Sequence, residues 1–212
     1  MSFGGESGLR EVDLGGIHPL TQRYILRSIM GHTIVFYKIF SDAMLLEQIV
    51  SGSRSYIEAL HRSYSNDKKY EYEITELDLS YDEYLGWLHE NVSSLLMQCA
   101  TQTRIYKDTY SPDEKPEEGE AFYSSDIEAY EHFPNIVEVI SGKFRHSLRE
   151  CCNKIIHAES FELELVSNES TKKHWNGFCV LKGTFNQHSW SIKLDVRKFC
   201  MAIRYYYEVE KH

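Results

Sequence analysis

Residues 145–157 read Arg-His-Ser-Leu-Arg-Glu-Cys-Cys-Asn-Lys-Ile-Ile-His. On a helix, Arg145, Arg149, Asn153 and His157 follow one another at i, i+4, so they form one polar row. The apolar set Phe144, Leu148, Cys152, Ile155 and Ile156 lies beside it. Such a row suits phosphodiester chemistry. A guanidinium grips phosphate with two parallel N–H groups, an amide orients it, and an imidazole moves a proton near neutral pH. The candidate catalytic residues are therefore Arg149, Asn153 and His157, with Arg145 and Lys154 as cations for an RNA backbone.

The segment from Arg149 to His157 resembles the motif of the HEPN superfamily, an Arg followed at short distance by a His, with a polar residue between that Asn153 supplies. The resemblance implies a helical bundle acting in a toxin or phage-defence setting, with its site at a homodimer seam. It further implies metal-independent RNA cleavage that leaves a 2′,3′-cyclic phosphate. Arg149 would hold the phosphate and His157 would serve as acid and base.

The same residues admit a plainer reading. Arg149 can pair with Glu150 or with an acidic linker, Asn153 can cap a turn, and His157 can sit near the last carbonyls of a helix, where the dipole favours a cation. The chain would then be a non-catalytic module that holds a protein partner through its aromatic surface. Its 15 tyrosines and 3 tryptophans supply such a surface, since Tyr and Trp carry much of the energy of interfaces. Trp175, between Lys173 and Gly177, reads as an exposed loop residue able to stack a base. Trp190, in an alternating segment, reads as buried. The 10 histidines are scattered without His-x-x-x-His or HExxH spacing, so no metal and no cofactor is expected.

Five cysteines, Cys99, Cys151, Cys152, Cys179 and Cys200, form no plausible disulfide framework and no Cys-x-x-Cys. They read as buried reduced thiols, with Cys151, off the apolar face, the most reactive. The apolar content is 42% over 212 residues, with no run long enough to span a membrane and Gly and charge at the start where a secretory signal needs apolar residues. A cytoplasmic location is expected. Net charge is -9, yet residues 143–212 hold 12 basic and 8 acidic side chains. That basic end would attract phosphate in a salt-dependent way.

The elements that must position these groups follow from periodicity. Residues 1–16 read as a disordered tail and 17–212 as one domain. Helical spacing begins at Pro19 with Leu20, Tyr24, Ile25 and Ile29, and resumes from Ile34 to Val50. Ser51-Gly52-Ser53 reads as its end, and Tyr56, Ile57, Leu60 and Tyr64 as a separate helix. Tyr70–Ile74 alternates like an edge strand. Ser80 and Glu83 form a capping box for a helix reaching about Tyr106. Residues 108–121 read as an acidic loop, the one internal boundary. After Pro134 a helix of about 22 residues is expected, carrying the polar row. Phe161–Leu165, Phe178–Leu181 and Trp190–Leu194 read as strands, the last two joined by Asn186-Gln187, before a final helix capped by Asp195. The predicted fold is α+β: a mostly helical bundle, a small three-stranded antiparallel sheet near the C-terminus, and a last helix.

Overall fold

The computed structural model describes residues 27–29, 32–34, 36–64, 74–110, 124–167 and 172–209. The chain divides into a unit of residues 1–37 and one of 38–212. In the first, β1 (Arg27–Ile29) and β2 (His32–Ile34) form an antiparallel hairpin, Ser28 facing Thr33. The helical spacing read through Ile29 is therefore a strand there. The remainder of that stretch, the expected tail of residues 1–16, and residues 111–121 of the acidic loop lie outside the described residues, while residues 108–110, read as the start of that loop, are helical.

The second unit is α+β, as its pattern predicts. Among the described residues, α1 (Phe36–Ser63), α2 (Glu76–Tyr110), α3 (Ser125–His132), α4 (Leu148–Ile156) and α5 (Val196–Val209) pack with β3 (Val137–Ser141), β4 (Ser160–Val166), β5 (His174–Phe185) and β6 (His188–Asp195). The strands form an antiparallel sheet of four, in the order β3-β6-β5-β4. One face of β5 and β6 buries Trp175, Cys179, Leu181, Trp190, Ile192 and Leu194. The opposite face carries a polar ladder in which Lys182 meets Glu162 at 2.8 Å and Lys193 meets Glu164 at 2.7 Å. Alternation along a strand produces that division.

α1 is one helix where the sequence suggests two. It buries Ile39, Ala43, Leu46, Val50 and Ile57, a stripe that continues through Gly52. Ser53 is buried at the supposed break: its hydroxyl accepts from the Trp175 amide at 3.1 Å and from the Tyr84 hydroxyl at 2.9 Å. Tertiary contacts override the local propensity of Ser-Gly-Ser. α1 lies against a bulge in β5, where Gly177 has φ +94 and an added Cβ would meet Val50 at 2.7 Å. Only glycine satisfies both demands.

α2 starts one turn before the box read at Ser80. Thr75 and Asp78 exchange the capping bonds, the Asp78 carboxylate accepting from the Thr75 amide at 2.9 Å and the Thr75 hydroxyl from the Asp78 amide at 3.1 Å. The expected edge strand at Tyr70–Ile74 falls mostly outside the described residues, and Ile74 itself is irregular. Two other expectations hold: Asn186 and Gln187, both at positive φ, turn the β5–β6 hairpin, and the Asp195 carboxylate accepts from the Lys198 amide at 3.1 Å.

The largest correction falls on the 22-residue helix. Residues Val137–Ser141 are the fourth strand, paired to β6, and α4 begins only at Leu148. Ile136, Val137 and Ile140 share apolar character with either period, so the segment is ambiguous in sequence. Ser147 supplies the true cap, its hydroxyl accepting from the Glu150 amide at 3.1 Å.

Candidate functional site

α4 packs on the C-terminal half of α2, burying Leu148, Cys151, Cys152 and Ile155. Its polar side holds Arg149, Asn153 and, as the residue that ends it, His157. Arg145 is not part of this row. It lies in the loop of residues 142–147, exposed, because the chain there is not helical.

Ion pairs and amide contacts organise the rest. Arg104, on α2, donates from Nε to the Asn153 amide oxygen at 2.9 Å and pairs with Asp108 one turn on. Arg149 meets the same Asp108 carboxylate at 3.3 Å. The Asn153 amide group reaches Glu150 at 3.4 Å, and Glu150 also faces the Lys154 ammonium at 3.5 Å. Lys154 is 8% exposed and lies 4.3 Å over the Trp190 ring, so its charge is held against an aromatic face rather than offered to an RNA backbone. At the start of α4, the Asp126 carboxylate accepts from the Arg149 amide at 3.2 Å and faces the buried Lys107 ammonium at 3.6 Å. A carboxylate at a helix N-terminus is favoured by the dipole.

Arg149 and His157 do not converge. Eight residues along a helix separate them by about 12 Å, and they line different cavities. Arg149, Arg145 and Asn153 border a small recess of about 70 Å³. Asn153 and His157 border a larger cleft of about 530 Å³ together with Arg104, Lys154, Glu159 and Trp190. His157 is exposed and ends α4, its backbone amide donating to the Asn153 carbonyl at 3.0 Å. The structure thus places Asn153 at both cavities, with Arg149 and Arg145 at the recess and His157 at the cleft, and adds Arg104 to the cleft. Arg104 stands 49 residues before Asn153 in the chain, so no local spacing could have placed it here.

Trp175 is not in a loop. It sits within β5 at 1% exposure, its indole N–H donating to the Phe178 carbonyl at 2.7 Å, and no base can stack on it. All five cysteines are free and buried. Burial pushes the Cys99 thiol up to about 12 and the Cys151 thiol well above its ordinary range, so Cys151 is inert rather than reactive. Among the described residues no three His, Cys, Asp or Glu side chains are placed to hold a metal ion, and no helix is long and apolar enough to cross a membrane.

No protein-family profile, no curated protein and no solved structure matches the chain.

Proposed function

We propose that the protein binds RNA or a nucleotide by its phosphate in the cleft beside α4, and that His157 moves the proton when bound RNA is cleaved, as the HEPN-like motif implies. One observation carries this reading: Arg104, Asn153 and the exposed His157 border the same open cleft. Its volume of about 530 Å³ falls in the range that accommodates a nucleotide-sized ligand. A phosphate entering there would take the Arg104 guanidinium from Asp108, a charge-assisted exchange of one oxyanion for another. The Asn153 amide would then be free to orient a phosphate oxygen.

Cleavage in this arrangement follows a balanced path. His157 takes the proton of a ribose 2′-hydroxyl, and that oxygen bonds to the adjacent phosphorus. The bond from phosphorus to the next nucleotide's 5′-oxygen breaks, and that oxygen takes a proton from water, whose hydroxide is neutralised by the proton that His157 now holds. The products are a 2′,3′-cyclic phosphate and a 5′-hydroxyl. Arg104 stabilises the charge that develops on the phosphoryl oxygens.

A second reading rests on its own observation. Asp108, Glu150 and Glu159 stand among the cations, so the cleft is close to electrically neutral, as a structural network or a protein-binding surface would be. The two readings separate on a titration of a mixed-sequence single-stranded RNA against wild type and Arg104→Gln at low and moderate salt. Phosphate recognition predicts salt-sensitive binding that Arg104→Gln weakens about 10-fold. RNA binding that is absent in wild type, or unchanged in the variant, would remove the phosphate-binding reading of this cleft and leave the module.

A further inference from the structure

Away from α4, an aromatic groove runs between α1 and α2 that the phosphate chemistry does not use. Ile49, Gly52, Tyr56 and Leu60 of α1 face Tyr84 and Trp87 of α2 across a cavity of about 640 Å³. The rings form a continuous platform, with Tyr56 and Tyr84 centroids 4.5 Å apart and Tyr84 and Trp87 6.0 Å apart. This platform is not sealed: Tyr56 is 48% and Trp87 49% exposed. The α1 side extends the apolar row, since Leu45 precedes Ile49 by one turn and is itself exposed. Tyrosine and tryptophan left half in water beside Leu and Ile are the composition of a protein-binding patch rather than of a resting surface.

Charge says what covers it. Glu83 lines the groove, and among the described residues the lining contains no lysine or arginine. Glu76 and Glu90, also exposed, stand seven residues before and after Glu83 on α2. Seven residues are close to two helical turns, so the three carboxylates run as one acidic row along the groove's α2 edge. Among the described residues Glu83 and Glu90 have no ion pair, whereas Arg54 and Glu58 on the far side of α1 pair with each other at 2.8 Å.

We infer that this groove docks a basic amphipathic helix of a partner protein, with apolar side chains on the Tyr56–Tyr84–Trp87 platform and Lys or Arg reaching Glu83 and Glu90. The mode is a helix laid in a groove. Lysine or arginine over the exposed ring faces adds a cation–π contribution, and the acidic edge selects against acidic helices.

Gly52 offers an unusually clean test. It is a glycine inside a helix, and nothing among the described residues lies within 4 Å of where its Cβ would stand. Gly52→Leu therefore fills the groove while removing a helix-breaking residue, so the variant should fold at least as well as wild type. The probe is a synthetic amphipathic peptide of Leu and Lys at helical spacing, with a Leu/Glu peptide of the same pattern as control. Binding is read by calorimetry and by tryptophan fluorescence. We expect the Leu/Lys peptide to bind, the Leu/Glu peptide not to bind, and Gly52→Leu, Trp87→Ala and Glu83→Lys each to weaken binding at least about 10-fold. Glu138→Lys, on the distant strand β3, should leave it unchanged. Equal binding by Gly52→Leu, or equal loss from Glu138→Lys, would overturn the inference, because attraction would then be to net charge alone. Wild type that ignores both peptides would also overturn it. In that case, a wild-type dimer that Gly52→Leu dissociates would assign the groove to a second copy.

Discussion

At the scale of single residues, the row of nitrogen-bearing side chains is half legible in the sequence. Asn153 and His157 keep the i, i+4 relation that their spacing promises. Arg149 keeps its place on α4 but faces Asp108, and Arg145 leaves the helix altogether. What the sequence could not show is Arg104, because its approach to Asn153 depends on how α2 packs on α4. Trp175 misleads for the opposite reason. Its flanking Lys173 and Gly177 suggest a loop, yet Lys173 lies just before β5 and Gly177 is the glycine of its bulge against Val50, so both accompany a fully buried indole. The cysteines are buried thiols, as their number and spacing suggest, and that has a chemical consequence. With Cys99 and Cys151 held far from ionisation by desolvation, and Cys152, Cys179 and Cys200 likewise raised, we expect no alkylation of the native protein by iodoacetamide at about pH 8, near the ordinary thiol range. Mass spectrometry should find all five labelled only after denaturation; labelling of native Cys151 would show that α4 opens readily.

At the scale of elements, the ends of helices decide more than their middles. Ser147 and Asp195 are both true caps, yet only Asp195 stands out in the sequence, since Ser147 lies inside a stretch whose apolar residues fit either period. Ser147→Ala should cost about 1 kcal/mol in denaturant melts. The two glycines that meet α1 predict opposite signs. Gly52→Ala should raise stability by about 1 kcal/mol, because nothing among the described residues opposes the new methyl group. Gly177→Ala should lower it by about 2 kcal/mol, because the added carbon meets both a positive φ and Val50. A destabilising Gly52→Ala would mean that α1 is not one continuous helix. The capping pair of α2 also titrates. Lys172 and the Thr75 hydroxyl and amide hold the Asp78 carboxyl well below its usual range. The unfolded chain then takes up this proton first as pH falls, so the capping contribution is complete above about pH 4. It is lost progressively below that value. Asp78→Asn should lower the Tm at about pH 7 and flatten its fall between about pH 4 and about pH 2. An unchanged slope would remove the Lys172–Asp78 contact from the account of α2.

At the scale of the whole molecule, the class is readable and the count of strands is not. A run of helices around a short antiparallel sheet follows from the change of period after His157. The fourth strand, β3, escapes because its partner β6 lies roughly fifty residues later in the chain and only pairing makes it a strand. The same long-range packing holds α2, α3 and α4 together through the buried Lys107–Asp126 pair. Asp126→Ala leaves the Lys107 ammonium buried without that carboxylate, and should cost about 3–5 kcal/mol in a denaturant melt; a cost below about 1 kcal/mol would show that water reaches the pair. The proposed function depends on the face that this packing creates beside α4. Because His157 is exposed and ends its helix, His157→Ala should leave the fold and RNA affinity intact. The decisive measurement is therefore the rate of cleavage of a single-stranded RNA by wild type and His157→Ala in the presence of a chelator, with the product ends identified by mass. We predict 2′,3′-cyclic phosphate ends from wild type and a rate at least about 100-fold lower in the variant. Wild type that binds RNA without cutting it, or a variant that cuts as fast, would contradict proton transfer by His157.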